Sequence, residues 1–143
     1  MMKAIGVLFI FGFFTGALGS CAFILDENGK ECADPHKFTS DQILRFYHSG
    51  YSSTEAPIIN LFVECLWKKW GFLDNNGNIK YDNIKNTDIS VFFITGVCED
   101  THLSPKSVFV AAVEDCRINA PVHVRAETIR SCISQRYKEF LQN

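Results

Sequence analysis

The chain has 143 residues and a formal net charge of −2, with its basic residues dispersed, so neither a nucleic-acid-binding surface nor an electrostatic membrane anchor is expected. Six cysteines, at positions 21, 32, 65, 98, 116 and 132, lack the close pairs that zinc sites use and read as staples of one small extracellular domain. There is no GxSxG elbow, HExxH, CxxC pair or glycine-rich phosphate loop, and the scattered Ser, His and Asp residues compose no triad, so neither an enzyme nor a cofactor is expected.

Lys3, the apolar run from Ala4 to Phe14 and the small residues after it predict a secretory signal peptide, because that run is too short to cross a bilayer. Cleavage after Gly19 is favoured; cleavage after Ala22 obeys the same small-residue rule and would remove Cys21. Leu18-Gly19-Ser20-Cys21 also looks like a bacterial lipoprotein signal, a reading that the downstream pattern opposes. The expected division is residues 1–19 as signal and 20–143 as one helical domain, secreted and without stable membrane insertion.

Helix signals follow in order. Thr39 or Ser40 caps a short helix through Tyr47, ended at Gly50, with Ile43, Leu44, Phe46 and Tyr47 as its apolar side. Thr54 opens the next helix, with Pro57 in the first turn and Gly71 as C-cap. Its arc of Ile58, Ile59, Leu61, Phe62, Val63, Cys65, Leu66 and Trp70 stands opposite Asn60, Glu64 and Lys68, and is wide enough to face two partners. Trp67 lies off the centre of that arc and reads as a surface or interface residue.

The acidic stretch after Gly71 invites a calcium loop, but neither register serves. A start at Asp74 puts Ile79 in the glycine place, and a start at Phe72 makes Phe72 and Asn83 the end ligands. Asp74 to Gly77 therefore reads as a tight polar turn. Within Asp88 to Glu99, "ISVFFITGV" fits either a helix or a strand.

Ser104-Pro105 starts a helix that places Phe109, Ala112, Val113 and Cys116 on one face. The last helix is expected from near Asn119 and Pro121 to about Leu141, with Val122, Ala126, Ile129, Ile133, Tyr137 and Phe140 in one stripe. Phe140 and Leu141 form either a lid or a frayed end. The sum is an all-α domain of about six helices.

Cys32 followed by "ADPHKFTSDQILRFYHSGYSS", and then "LFVECLWKKWGFLDNNGNI", resembles the first half of the insect odorant-binding proteins, the pheromone and general odorant carriers. That family has three residues between its second and third cysteines and eight between its fifth and sixth. Leu61 and His123 stand at two of those places here, so the chain is similar to the four-cysteine "minus-C" subgroup. The resemblance implies bridges Cys32 to Cys65 and Cys116 to Cys132. Taking Cys98 as the family's fourth cysteine fits the later spacings worse; Cys98 is left to pair with Cys21 or to stay a buried thiol.

The resemblance further implies a compact disulfide-linked bundle enclosing an apolar cavity for a small hydrophobic molecule, an odorant, pheromone or lipid. Candidate lining residues at the centres of the inward arcs are Ile59, Phe62, Leu66, Trp70, Phe109, Val113, Ile129 and Ile133, for each of which plain core packing competes. His36, His48, His102 and His123 have no metal-site spacing; they are either solvated or, as the resemblance suggests, agents of pH-dependent release. A chemosensory receptor and a second copy of the chain are the candidate protein partners. The competing class is a secreted helical signalling or effector protein that works by protein contact.

Overall fold

The computed structural model describes residues 25–94 and 106–143. Cys21, Cys98, His102, the Ser104-Pro105 helix start, the signal segment and the stretch from 95 to Glu99 lie outside the described residues.

Asp26 opens α1 (Glu27–Ala33) by accepting the Gly29 N–H at 2.7 Å. Pro35 then converts the chain to a 3-10 turn, Asp34–His36, whose exit through Lys37 is left-handed (φ 56°). Thr39 and Gln42 make a reciprocal capping box for α2 (Ser40–His48), which buries Ile43, Phe46 and Tyr47.

The central helix is α3 (Ala56–Trp70). It begins after Thr54, because Ser52 and Glu55 exchange hydrogen bonds and wind the turn before it: the Ser52 N–H donates to Glu55 Oε1 at 3.0 Å and the Glu55 N–H to Ser52 Oγ at 3.3 Å. Gly71 (φ 80°) ends it, and Asn83 Nδ2 donates to the Gly71 carbonyl at 2.7 Å.

Two assignments on α3 are corrected. Ile58 and Leu61 are 42% and 51% exposed, whereas Trp67 is fully buried. The buried stripe runs Ile59, Phe62, Val63, Leu66, Trp67, with the usual three- and four-residue steps; counting Ile58, Leu61 and Cys65 as inward had pulled the arc's centre away from Trp67.

Asp74 Oδ1 accepts the Asn76 and Asn78 N–H groups at 2.9 and 2.8 Å, and Gly77 (φ 83°) closes the turn beneath a Leu73–Ile79 antiparallel bridge. Next come α4 (Tyr81–Asn86) and α5 (Ile89–Phe93), the latter capped by Asp88. So "ISVFF" is helical.

Two long helices complete the bundle, α6 (Lys106–Asn119) and α7 (Ala126–Gln142). The last helix starts later than Asn119 or Pro121. Proline disfavours helical geometry at Ala120, and His123 takes a left-handed φ of 63°, which turns the chain and leaves Val122 84% exposed rather than in the inward stripe. Phe140 is half-buried and Leu141 exposed within α7, which stays helical to Gln142.

Seven α-helices and no strand of a sheet occur among the described residues: the fold is all-α. The closest packing is α6 on α7, with α3 on α7, α1 on α3 and α4 on α6. Cys32–Cys65 (S–S 2.02 Å) ties α1 to α3, and Cys116–Cys132 (2.09 Å) ties α6 to α7. Their sequence separations of 33 and 16 correspond, on chain-entropy grounds, to about 4 and about 3 kcal/mol.

Candidate ligand-binding site

The apolar residues converge where α3, α5, α6 and α7 meet. Trp67 packs edge-on to Phe72 (ring centroids 5.7 Å apart) and tilts toward Phe92 at 6.1 Å. Phe92 in turn meets Phe93 at 5.0 Å and Phe109 at 5.2 Å, and both Phe93 and Phe109 reach Tyr137, at 5.0 and 6.2 Å. Rings from four helices thus form one connected aromatic centre, with the tilted and edge-on geometries that ring quadrupoles favour.

Of the eight sequence-predicted lining residues, Ile59, Phe62, Leu66, Phe109, Val113, Ile129 and Ile133 are at most 2% exposed and belong to that single core. Trp70 is half-buried, packed against the core's edge beside Phe72 at 5.7 Å. Side chains so enclosed pack as core, and nearly all of their surface is out of contact with solvent. Phe92, Phe93, Trp67 and Tyr137 belong to the same centre but were not among the eight. The paired aromatics of "ISVFF" and the four-residue step from Val63 to Trp67 were the available signals.

Among the described residues two buried side-chain polar atoms make no hydrogen bond, Trp67 Nε1 and the Tyr47 hydroxyl. The Tyr47 ring lies under the Arg130 guanidinium, whose Cζ is 4.3 Å from the ring centroid. Arg130 is itself buried and paired with buried Glu127 through Nε–Oε2 (2.6 Å) and Nη2–Oε1 (2.7 Å). The Tyr51 hydroxyl adds a third bond, donating to Glu127 Oε1 at 2.6 Å. Burial pushes the Tyr51 hydroxyl's pKa up to about 12, with the Glu127 carboxylate adding to the rise, so it stays a donor.

Among the described residues three surface pockets open elsewhere, and none of the eight residues lines them. The first, about 660 Å³ between α4 and α6, is walled by Tyr81, Asp82, Lys85, Glu114 and Arg117, whose charges pair with one another. The others, about 390 and 410 Å³, flank Tyr51 along α7. No three His, Cys, Asp or Glu side chains group to hold a metal ion among the described residues.

The PBP/GOBP family model matches residues 24–136, from before α1 into the last turns of α7, and so takes in both disulfides and every helix that contributes to the aromatic centre. The chain belongs to the PBP/GOBP family. No curated protein and no solved structure gives a match. The PBP/GOBP family is one of binding proteins rather than enzymes, carriers of small odorant or pheromone molecules, and the all-α disulfide-bonded architecture accords with it. The family's ligands are small and hydrophobic, the class of molecule that an apolar centre of this composition suits.

Proposed function

We propose that this chain is a secreted carrier that solubilises a small hydrophobic molecule in extracellular fluid, with residues 1–19 removed as a signal and 20–143 forming the carrier. The observation that carries the reading is the aromatic centre shared by α3, α5, α6 and α7 inside two disulfide clamps. Ile59, Phe62, Leu66, Phe109, Val113, Ile129 and Ile133 supply the apolar contacts, with Trp70 at the rim. Burying roughly 300 Å² of ligand at about 25 cal/mol per Å² yields on the order of 7 kcal/mol before ordering costs, enough for micromolar affinity. The test is displacement of the fluorescent probe N-phenyl-1-naphthylamine by terpenoids, long-chain alcohols and fatty acids. Saturable one-to-one displacement is expected, and a chain that binds neither probe nor any competitor rules the carrier out.

The minus-C assignment belongs to the same proposal. Leu61 is exposed on α3, and His123 is exposed in the turn before α7. Between those two places Arg125 reaches Glu64 through Nη2 at 2.8 Å and Nε at 2.9 Å, an ion pair joining the elements that a third bridge would join.

A second reading, contact with a receptor or with another copy of the chain, draws on the exposure of Ile58 and Leu61 one turn apart on α3. Sedimentation of wild type against Leu61→Glu tests the homodimer: a dimer lost in the variant supports it, and a monomer in both removes it.

A further inference from the structure

The pocket of about 390 Å³ between the end of α2 and the middle of α7 is built differently from the apolar centre. Its walls include Tyr47, His48, Arg130, Ser131, Ser134 and Lys138, with no carboxylate among the lining residues. Glu127, which neutralises part of Arg130, does not line it. Lys138 takes part in no ion pair among the described residues. Two cations and five hydroxyl-bearing residues, Tyr47, Ser49, Tyr51, Ser131 and Ser134, therefore line a space with no resident anion.

Two further observations point to a ligand. The Tyr47 hydroxyl is buried and makes no hydrogen bond, an arrangement that costs stability unless something supplies the acceptor. Phe46, Tyr47 and Tyr51 also line the pocket, with Phe46 and Tyr51 edge to face at 6.3 Å, so hydrocarbon can lie against the wall beside the charged end. The local field has the matching sign. His48 has its pKa lowered first by burial and then by the Lys138 and Arg130 cations, against the opposing pull of the Phe93 and Ile94 carbonyls.

From this geometry we infer that the pocket receives the carboxylate head of an apolar acid. Lys138 and Arg130 supply charge, Tyr47, Ser131 and Ser134 supply donors, and the three rings hold the first carbons of the chain. The inference rests on the carrier reading and narrows its ligand to an anionic amphiphile. An anion here favours protonated His48, and by linkage protonated His48 favours the anion.

The test compares decanoate with decanol on the full chain by calorimetry, with acetate and inorganic phosphate as head-only probes and the His48 imidazole followed by NMR. Decanoate is expected to bind about tenfold tighter than decanol near neutral pH. Lys138→Gln, at an exposed position, should weaken decanoate about threefold and leave decanol unchanged. Tyr47→Phe, which keeps the ring under Arg130, should weaken decanoate about tenfold. The His48 pKa should rise with decanoate and with acetate at high concentration, but not with decanol. Equal affinity for decanoate and decanol in wild type and both variants, with His48 unmoved, overturns the head-group site while leaving the carrier standing. A response to phosphate alone overturns the carboxylate assignment. Failure of both ten-carbon ligands to bind defeats the carrier reading, and the inference with it.

Discussion

The Tyr51 hydroxyl donates a 2.6 Å hydrogen bond to Glu127 across 76 residues of chain, fastening the segment before α3 to the first turn of α7. Because Glu127 also holds Arg130, this bond is one strand of a buried network whose members differ in what their removal exposes.

Tyr51→Phe should therefore cost only about 1–2 kcal/mol, since Arg130 still satisfies both carboxylate oxygens. Glu127→Ala should cost about 3–5 kcal/mol by stranding the buried guanidinium. Replacing Glu127 and Arg130 together by Leu and Met should cost less than Glu127→Ala alone. Urea midpoints of the variants check the order, and a double variant weaker than Glu127→Ala contradicts it.

The Glu64–Arg125 pair, half-exposed at its arginine, should contribute under about 1 kcal/mol and fade as salt rises. If it stands where a third bridge would, Leu61→Cys combined with His123→Cys should oxidise to a disulfide and stabilise the fold by about 3 kcal/mol or more. Mass spectrometry after alkylation, with and without reduction, reads this directly. Two persistently free thiols at those positions would refute the minus-C alignment.

His48 predicts a pH dependence of stability. Its folded pKa lies below the ordinary histidine value of 6.5, from burial first and the Lys138 and Arg130 cations second. The unfolded chain thus takes up the proton first. Stability from this group is fully present above about pH 6.5, falls as pH drops through that value, and levels off beneath the folded pKa. Thermal midpoints between pH 8 and pH 5 should decline in wild type and less so in His48→Gln; identical slopes would discard the assignment.

Trp67 is fully buried against Phe72 and Phe92, whereas Trp70 is half-buried. Trp70→Phe should retain a blue-shifted emission that iodide does not quench, and Trp67→Phe should leave a redder, quenchable one. Ligands that enter the aromatic centre should then perturb the Trp70→Phe protein. An emission unchanged by a ligand already shown to bind would place that ligand elsewhere.

Much of this fold is legible in local chemistry. The cap at Thr39, the stop at Gly71 and the Asp74–Gly77 turn are set by hydrogen bonds within a few residues, and the structure forms them where the sequence shows them. The face shared by Phe109, Ala112, Val113 and Cys116 is equally plain. What escaped depends on neighbours distant in sequence. Tyr81–Asn86 buries only Ile84, too little for a period to show, and Trp67 turns inward because α5 brings Phe92 to it. Glu127 and Arg130 look like solvated charges until Tyr51, 76 residues before Glu127, donates to its carboxylate. Of the site, the apolar stripes of α3, α6 and α7 were visible, while the polar pocket beside Tyr47 arises only when α2 lies against α7.

Ile94 ends α5 with a left-handed φ of 52°, a conformation that a branched side chain adopts at a cost of order 1–3 kcal/mol. That tension works like a drawn spring beneath Phe92 and Phe93. The short helix that carries both rings into the aromatic centre thus ends on a strained residue. The two disulfides brace α1 on α3 and α6 on α7, so this strain sits in the part of the aromatic centre that no described disulfide clamps.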